Sequence, residues 1–184
     1  MGLRFIRLFI YSVISFILEK IKKIYFTTKY YNNSLRVSPP SRSYDMNNVP
    51  LLLELEDKNQ KRLELLNRFH KNIWKLDNIG KKHLIELNKF NWLSQLDIKN
   101  QKNLVKNIIL AWLKKNQNYN EKNWHHMITA NRIIFWICCS HFTIRHDDMV
   151  YRSAITNNIV KQALHLNKNL TFVNNKLDKI LILT

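Results

Sequence analysis

Trp124-His125-His126-Met127-Ile128-Thr129-Ala130-Asn131-Arg132-Ile133-Ile134-Phe135-Trp136-Ile137 opens the stretch that decides the fold, and Cys138-Cys139-Ser140-His141-Phe142 continues it. Ile133, Ile134, Trp136, Ile137 and Phe142 recur with the spacing of a helix buried on more than one side. A polar break follows at Arg145-His146-Asp147-Asp148. From Met149 a second helical run carries a narrower stripe of Tyr151, Ile155, Ile159, Ala163 and Leu166. Thr129 is placed to cap the first helix and Asp147 or Asp148 the second, because a side-chain oxygen there accepts from unpaired backbone N–H groups in the first turn. The expectation is two antiparallel helices joined by a turn.

The surrounding composition extends that reading to an all-α fold. The chain has 184 residues, enough for one domain with a core, and only 2 glycines and 3 prolines. The prolines (Pro39, Pro40, Pro50) fall in one early stretch, so the turn residues of a many-stranded sheet are missing. The formal net charge is +17. Abundant Lys, Asn and Ile beside scarce Gly, Pro and Ala match drift toward AT-rich codons, and the basic residues are scattered rather than gathered on one face. A nucleic-acid partner is therefore not expected. Cys138 and Cys139 are neighbours in a helix, pointing about 100° apart, and cannot bridge without distortion. They read as small buried hydrophobes in a reducing compartment.

Outward from the centre, residues 1–26 form a separate unit. Leu8 to Leu18 is an apolar run with Arg4, Arg7, Lys20, Lys22 and Lys23 at its flanks, too short to span a bilayer comfortably. Its charged start and apolar middle are those of a signal peptide, but Glu19-Lys20-Ile21-Lys22-Lys23 stands where a small-x-small cleavage site would. Three readings remain open: an interfacial basic amphipathic helix, a weak signal anchor, or a helix packed on the rest of the protein. Residues 27–50 read as a linker, within which Asn32-Asn33-Ser34 fits the glycosylation pattern. Residues 51–184 form the helical domain, with Leu51 to Phe69 a helix candidate and Asn72 to Phe90 a turn or extended connection around Gly80. Asn100 to Lys115 is a helix with Leu104, Ile108 and Ala111 on one face and Val105, Ile109 and Trp112 beside it. Asn116 to Asn123 is a polar loop, Asn167 to Asn175 breaks the pattern, and Leu177, Ile180, Leu181 and Leu183 begin another apolar run.

Taken in order, these stretches resemble the N-terminal helical region of bacterial heparinase II/III-like proteins. The resemblance is carried by Phe90-Asn91-Trp92-Leu93-Ser94-Gln95-Leu96, by Ala111-Trp112, by Trp124 with Thr129 to Ile137, and by Tyr151-Arg152, Gln162 and Leu166. It covers residues 50–184 and implies a partial α/α-toroid of antiparallel helix hairpins. It also implies an origin in proteins that cleave uronate-containing polysaccharides by β-elimination. That chemistry needs a group to neutralise the substrate carboxylate, a Tyr or His to remove the C5 proton, and a Tyr or His to protonate the leaving oxygen. The family's catalytic segments lie beyond residue 184. The chain is thus expected to be an N-terminal fragment, inactive alone, whose last apolar run leaves a face for self-association.

Trp92, Trp124, Asn131 and Arg132 are the candidate substrate contacts, with Arg132 able to grip a carboxylate through two N–H groups. The competing reading pairs Arg132 with Asp147 or Asp148 and puts the tryptophans in the core. His125, His126, Cys138, Cys139 and His141 lack the spacing of a closed zinc site, so no metal is expected. A Cys138–His141 nucleophile pair has no identifiable orienting residue or oxyanion loop. No cofactor is expected, since a phosphate-binding loop needs glycines this chain does not have. The expected partners are an acidic polysaccharide or, on a rival reading of the chain as a basic helical adaptor, an anionic membrane surface met by residues 1–26. The expected location is cytoplasmic, or peripheral at the inner membrane on the rival reading.

Overall fold

The computed structural model describes residues 2–39, 74, 80–96, 98–170 and 178–180. Among these residues every regular element is helical: α1 (Gly2–Thr27), α2 (Lys29–Ser34), α3 (Lys81–Lys89), α4 (Ile98–Asn116), α5 (His126–Cys138) and α6 (Met149–Asn169), with 3-10 turns at Asn91–Gln95 and Ser140–Phe142. The all-α expectation holds. The helix candidate Leu51–Phe69, the chain from Pro40 to Pro50, and the apolar run from Leu177, except 178–180, lie outside the described residues, and with them the face expected to self-associate.

The central hairpin forms as its sequence directs, with one cap corrected. Asp148 caps α6, its carboxylate accepting from the Tyr151 N–H at 3.0 Å. Thr129 does not cap α5. The helix begins a turn earlier, after His125, and Thr129 is buried within it. The early start follows from Trp124, whose indole N–H donates to the Asn116 carbonyl at 3.1 Å and fixes the chain just before the helix. Between the helices, the Tyr151 hydroxyl donates to the Phe142 carbonyl at 2.8 Å and closes the turn.

Three further expectations shift. The segment around Gly80 contains α3, a short helix whose Leu87 and Asn88 are buried. A helix this short is marginal in isolation, so its stability comes from docking on α5. On α4 the buried line is Val105, Ile108, Ile109, Trp112, Leu113 and Asn116, leaving Ala111 exposed and Leu104 half-buried. On α6 Ala163 is exposed, and the buried stripe passes from Tyr151 and Ile155 into Asn158, Gln162, His165 and Asn169. An apolar-periodicity reading misses that turn of the stripe because the residues continuing it are polar.

Aromatic rings meeting edge to face fill the core. Phe90 and Trp136 are 5.2 Å apart, Trp112 and Trp136 5.5 Å, and Phe90 and Trp112 5.8 Å, arrangements that add to simple area burial. Phe90 holds its place at φ 61, a left-handed conformation that ends α3 and is costly for a bulky residue. Truncating a buried Phe costs about 3–5 kcal/mol, against roughly 1–2 kcal/mol for one left-handed residue, so the ring's packing wins. A second cluster, Phe26, Tyr31, Leu35 and Trp124, lies under Tyr119 and Leu164. It joins the end of α1 and all of α2 to the body. The stretch read as a linker therefore contains a docked helix. Asn32 is buried there, donating to the Phe26 and Thr28 carbonyls and accepting from the Tyr119 N–H at 3.0 Å, which leaves no room for a glycan.

Candidate functional site

Two buried polar joints and one open groove hold the described residues with chemical potential. The first joint is built on Arg132, which is 0 % exposed. Its Nε donates to Gln162 Oε1 at 2.8 Å, its Nη1 to the Asn88 carbonyl at 3.0 Å, and its Nη2 to the Asn123 carbonyl at 3.0 Å and Thr129 Oγ1 at 3.2 Å. The guanidinium carbon lies 4.3 Å from the Trp112 ring centroid. One side chain thus ties together α3, the loop after α4, α5 and α6. Its acceptors are neutral carbonyl and hydroxyl oxygens. Asp147 and Asp148, one or other of which the competing reading paired with it, instead meet Lys102 at 2.5 Å and Lys106 at 2.6 Å. Burial lowers the guanidinium pKa to about 9, still above neutrality, so the joint is cationic at neutral pH.

The second joint is built on His165. The Tyr31 hydroxyl and His165 Nδ1 are 2.7 Å apart, Asn169 Nδ2 donates to the Tyr31 oxygen at 3.2 Å, and the imidazole lies among Phe26, Tyr119 and Trp124. Desolvation, followed by the Lys22 charge, lowers the His165 pKa to about 4, and desolvation raises Tyr31 to about 12. The pair is neutral near pH 7, a docking contact between α2 and α6.

These joints account for the residues singled out in the sequence. Trp92, Trp124 and Arg132 are fully buried, and their polar hydrogens serve internal carbonyls or, for Arg132, also Gln162 and Thr129. Asn131 is half-buried and donates to the Met127 carbonyl at 2.8 Å. The structure does not bring the four together on one accessible face, so their contacts are internal ones. His125 and His126 stack at 4.1 Å, and His126 Nε2 lies 3.0 Å from an Asp178 carboxylate oxygen. Cys139 is buried and Cys138 half-buried, and neither forms a disulfide.

One accessible feature among the described residues is a groove of ≈ 750 Å³ between the chain from Leu35 to Pro39, the second half of α4 and the first half of α6. Arg36, Lys114 and Lys161 line it with Gln117, Asn118, Asn157 and Asn158, and among the described residues no acid does. Lys161 is held in place by donating to the Gln117 carbonyl at 2.6 Å and to Asn118 Oδ1 at 2.9 Å. Burial first, then the charge of Arg36, lowers its pKa to about 8, so it stays mostly protonated at pH 7. Such a wall attracts anions and offers amides to hydroxyls. The sequence carried half of this signal. Lys114 has Gln117 and Asn118 three and four positions after it, and Lys161 has Asn158 and Asn157 three and four positions before it. Only the packing of α4 against α6 makes the two sets opposite walls.

No family model, curated protein or solved structure matches this chain. None of the described helices is long and apolar enough to cross a membrane.

Proposed function

We propose that this chain is the N-terminal helical module of a heparinase II/III-like polysaccharide lyase, a partial α/α-toroid. In this reading it contributes binding of acidic polysaccharide in the α4–α6 groove, and β-elimination belongs to the complete enzyme. The observation that carries the reading is the convergence of the residues behind the family resemblance. Phe90, Trp92, Trp112, Trp136 and Tyr151 share one core, and Arg132 donates to Gln162 beside it. An ordered pattern spread over more than sixty residues of chain thus corresponds to one three-dimensional unit, with α5 and α6 as an antiparallel hairpin. The groove adds chemistry suited to the substrate class. Cations spaced along an open trough match carboxylates or sulfates repeated along a chain, and each contact is individually weak but summed over several sugar units.

The test is retention on immobilised heparin and alginate compared with neutral dextran, for the parent chain and for Arg36→Gln/Lys114→Gln/Lys161→Gln. Salt-sensitive retention on the acidic polymers alone, lost in the triple variant, is the expected result. Equal retention on dextran, or full affinity in the triple variant, would remove the groove from the reading. Rapid formation of unsaturated uronate by this chain alone, followed by ultraviolet absorbance, would overturn its assignment as the non-catalytic part.

A further inference from the structure

The end of α1 is docked, and the docking fixes which way the rest of the helix faces. Lys23 pairs with Glu121 at 2.8 Å and with Glu19 at 3.0 Å, while Phe26 is buried against Tyr31 and Tyr119. At 100° per residue, Glu19, Lys23 and Phe26 fall within an arc of about 60°, the side turned to the body. Ile6, Val13, Ile17 and Ile24 fall within an arc of about 40° whose centre lies about 130° from the centre of the first, with Phe9 and Ile10 flanking it. These residues are exposed: Phe9 is 71 %, Ile24 67 % and Ile6 58 % accessible. The helix therefore turns an apolar stripe away from the domain, about 27 Å long from Ile6 to Ile24 at 1.5 Å per residue; Phe5, Leu8 and Phe16, on or beside the body-side arc but before the docked last turns, are exposed as well and add to the apolar surface.

We infer that this stripe lies on an anionic lipid surface, with α1 in the plane of the headgroups and the helical body held above it. Length and charge select this occupant. The helix does not qualify as a span, and its cations sit at both ends, Arg4 and Arg7 at one and Lys20, Lys22 and Lys23 at the other, with Glu19 its single acid. A second copy of α1 would bring like charges together in either orientation. A parallel pair sets each cationic end beside itself, and an antiparallel pair sets arginines beside lysines. Anionic headgroups satisfy both ends at once, and long basic side chains reach them while their stems cover apolar surface. The net charge of +17 on the chain acts in the same direction. This inference stands apart from the polysaccharide reading and uses none of its residues.

The test is flotation of the full chain with vesicles of phosphatidylcholine alone or mixed with phosphatidylglycerol, at low and high salt, alongside sedimentation of the free protein. Two variants isolate the stripe and the charges: Ile10→Glu/Ile17→Glu and Arg4→Gln/Arg7→Gln/Lys20→Gln. All of these positions are exposed, so circular dichroism should report an unchanged fold. The parent should float with the anionic vesicles and be released by salt. The isoleucine variant should not float, and the charge variant should partition roughly a hundredfold more weakly, on the scale of about fivefold per cation. No flotation at low salt, or equal flotation with neutral vesicles, overturns the inference. So does a dimer in free solution that the isoleucine variant dissolves, which would make a second copy the occupant.

Discussion

Replacing Arg132 with Met keeps a long apolar stem and removes the guanidinium that joins four segments. Three acceptors then stay inside without a donor: the Asn88 and Asn123 carbonyls and Gln162 Oε1. Each buried acceptor left unpaired costs roughly 1–3 kcal/mol, and the cation is also lost from the face of Trp112, 4.3 Å away. Against this stands the recovered desolvation penalty of a fully buried charge. In buried ion pairs, replacing every member together can be neutral or favourable, while removing one partner costs about 3–5 kcal/mol. Here removal of the arginine leaves no charge behind but strands neutral acceptors, two of them backbone carbonyls that cannot be exchanged with it, so the unpaired acceptors set a cost of about 3–5 kcal/mol. With a urea slope of about 2 kcal/mol per molar, the unfolding midpoint should fall by roughly 2 M. Arg132→Lys should fall between parent and Met, because one ammonium cannot reach along the fork's directions or stack on the indole. Urea unfolding followed by tryptophan fluorescence and by far-ultraviolet circular dichroism gives the midpoint, and Trp112 and Trp136 report on the joint itself. An Arg132→Met midpoint equal to or above the parent's at unchanged slope would refute the reasoning. It would show that the carbonyls find other donors.

His165 provides a test in pH. Its ring is held neutral down to about 4, whereas unfolded His titrates near 6.5, so the unfolded state takes up the proton first as pH falls. Stability is unaffected above 6.5, declines by about 3 kcal/mol between 6.5 and 4, and changes no further below. His165→Gln should lose that component when midpoints are compared across the window; parallel pH curves for the two proteins would contradict it. Asp148→Ala should lower the midpoint by less than Arg132→Met, since it removes the Tyr151 cap and the Lys106 pair, and Asp148→Ser should restore most of the loss. The Asp148 carboxyl is lowered to about 2, first by Lys106 and then by the Tyr151 N–H, so its contribution is complete above 3.8 and lost as pH falls toward 2. Ala163→Glu should be tolerated within about 0.5 kcal/mol, while Gln162→Leu, one residue away, should cost roughly 2 kcal/mol by depriving Arg132 of its side-chain acceptor on α6. Equal effects at 162 and 163 would mean that the α6 face is misassigned.

The features legible in the residues alone are local in origin. The scarcity of Gly and Pro with sustained helical periodicity set the all-α class, and the polar break ending in Asp148 set the turn and the cap. The uninterrupted apolar run near the start set α1. Trp112 and Trp136 were legible as interior rings from their helical spacing, whereas Trp92 and Trp124, read as candidate substrate contacts, proved to be buried as well. The remaining features depend on residues distant in sequence. Arg132 looks like a ligand-binding residue when its neighbours are read in isolation, and becomes a structural joint once Asn88 and Gln162 arrive from other helices. Asn158, Gln162, His165 and Asn169 fall outside the apolar stripe read from the sequence, since hydropathy scores a polar side chain by its cost in oil and not by the hydrogen bonds waiting for it. Gly80 suggested a break, yet a nine-residue helix begins beside it because α5 offers a surface to bury Leu87. The groove had no signature beyond two short repeats, because its opposite walls exist only after α4 and α6 have packed.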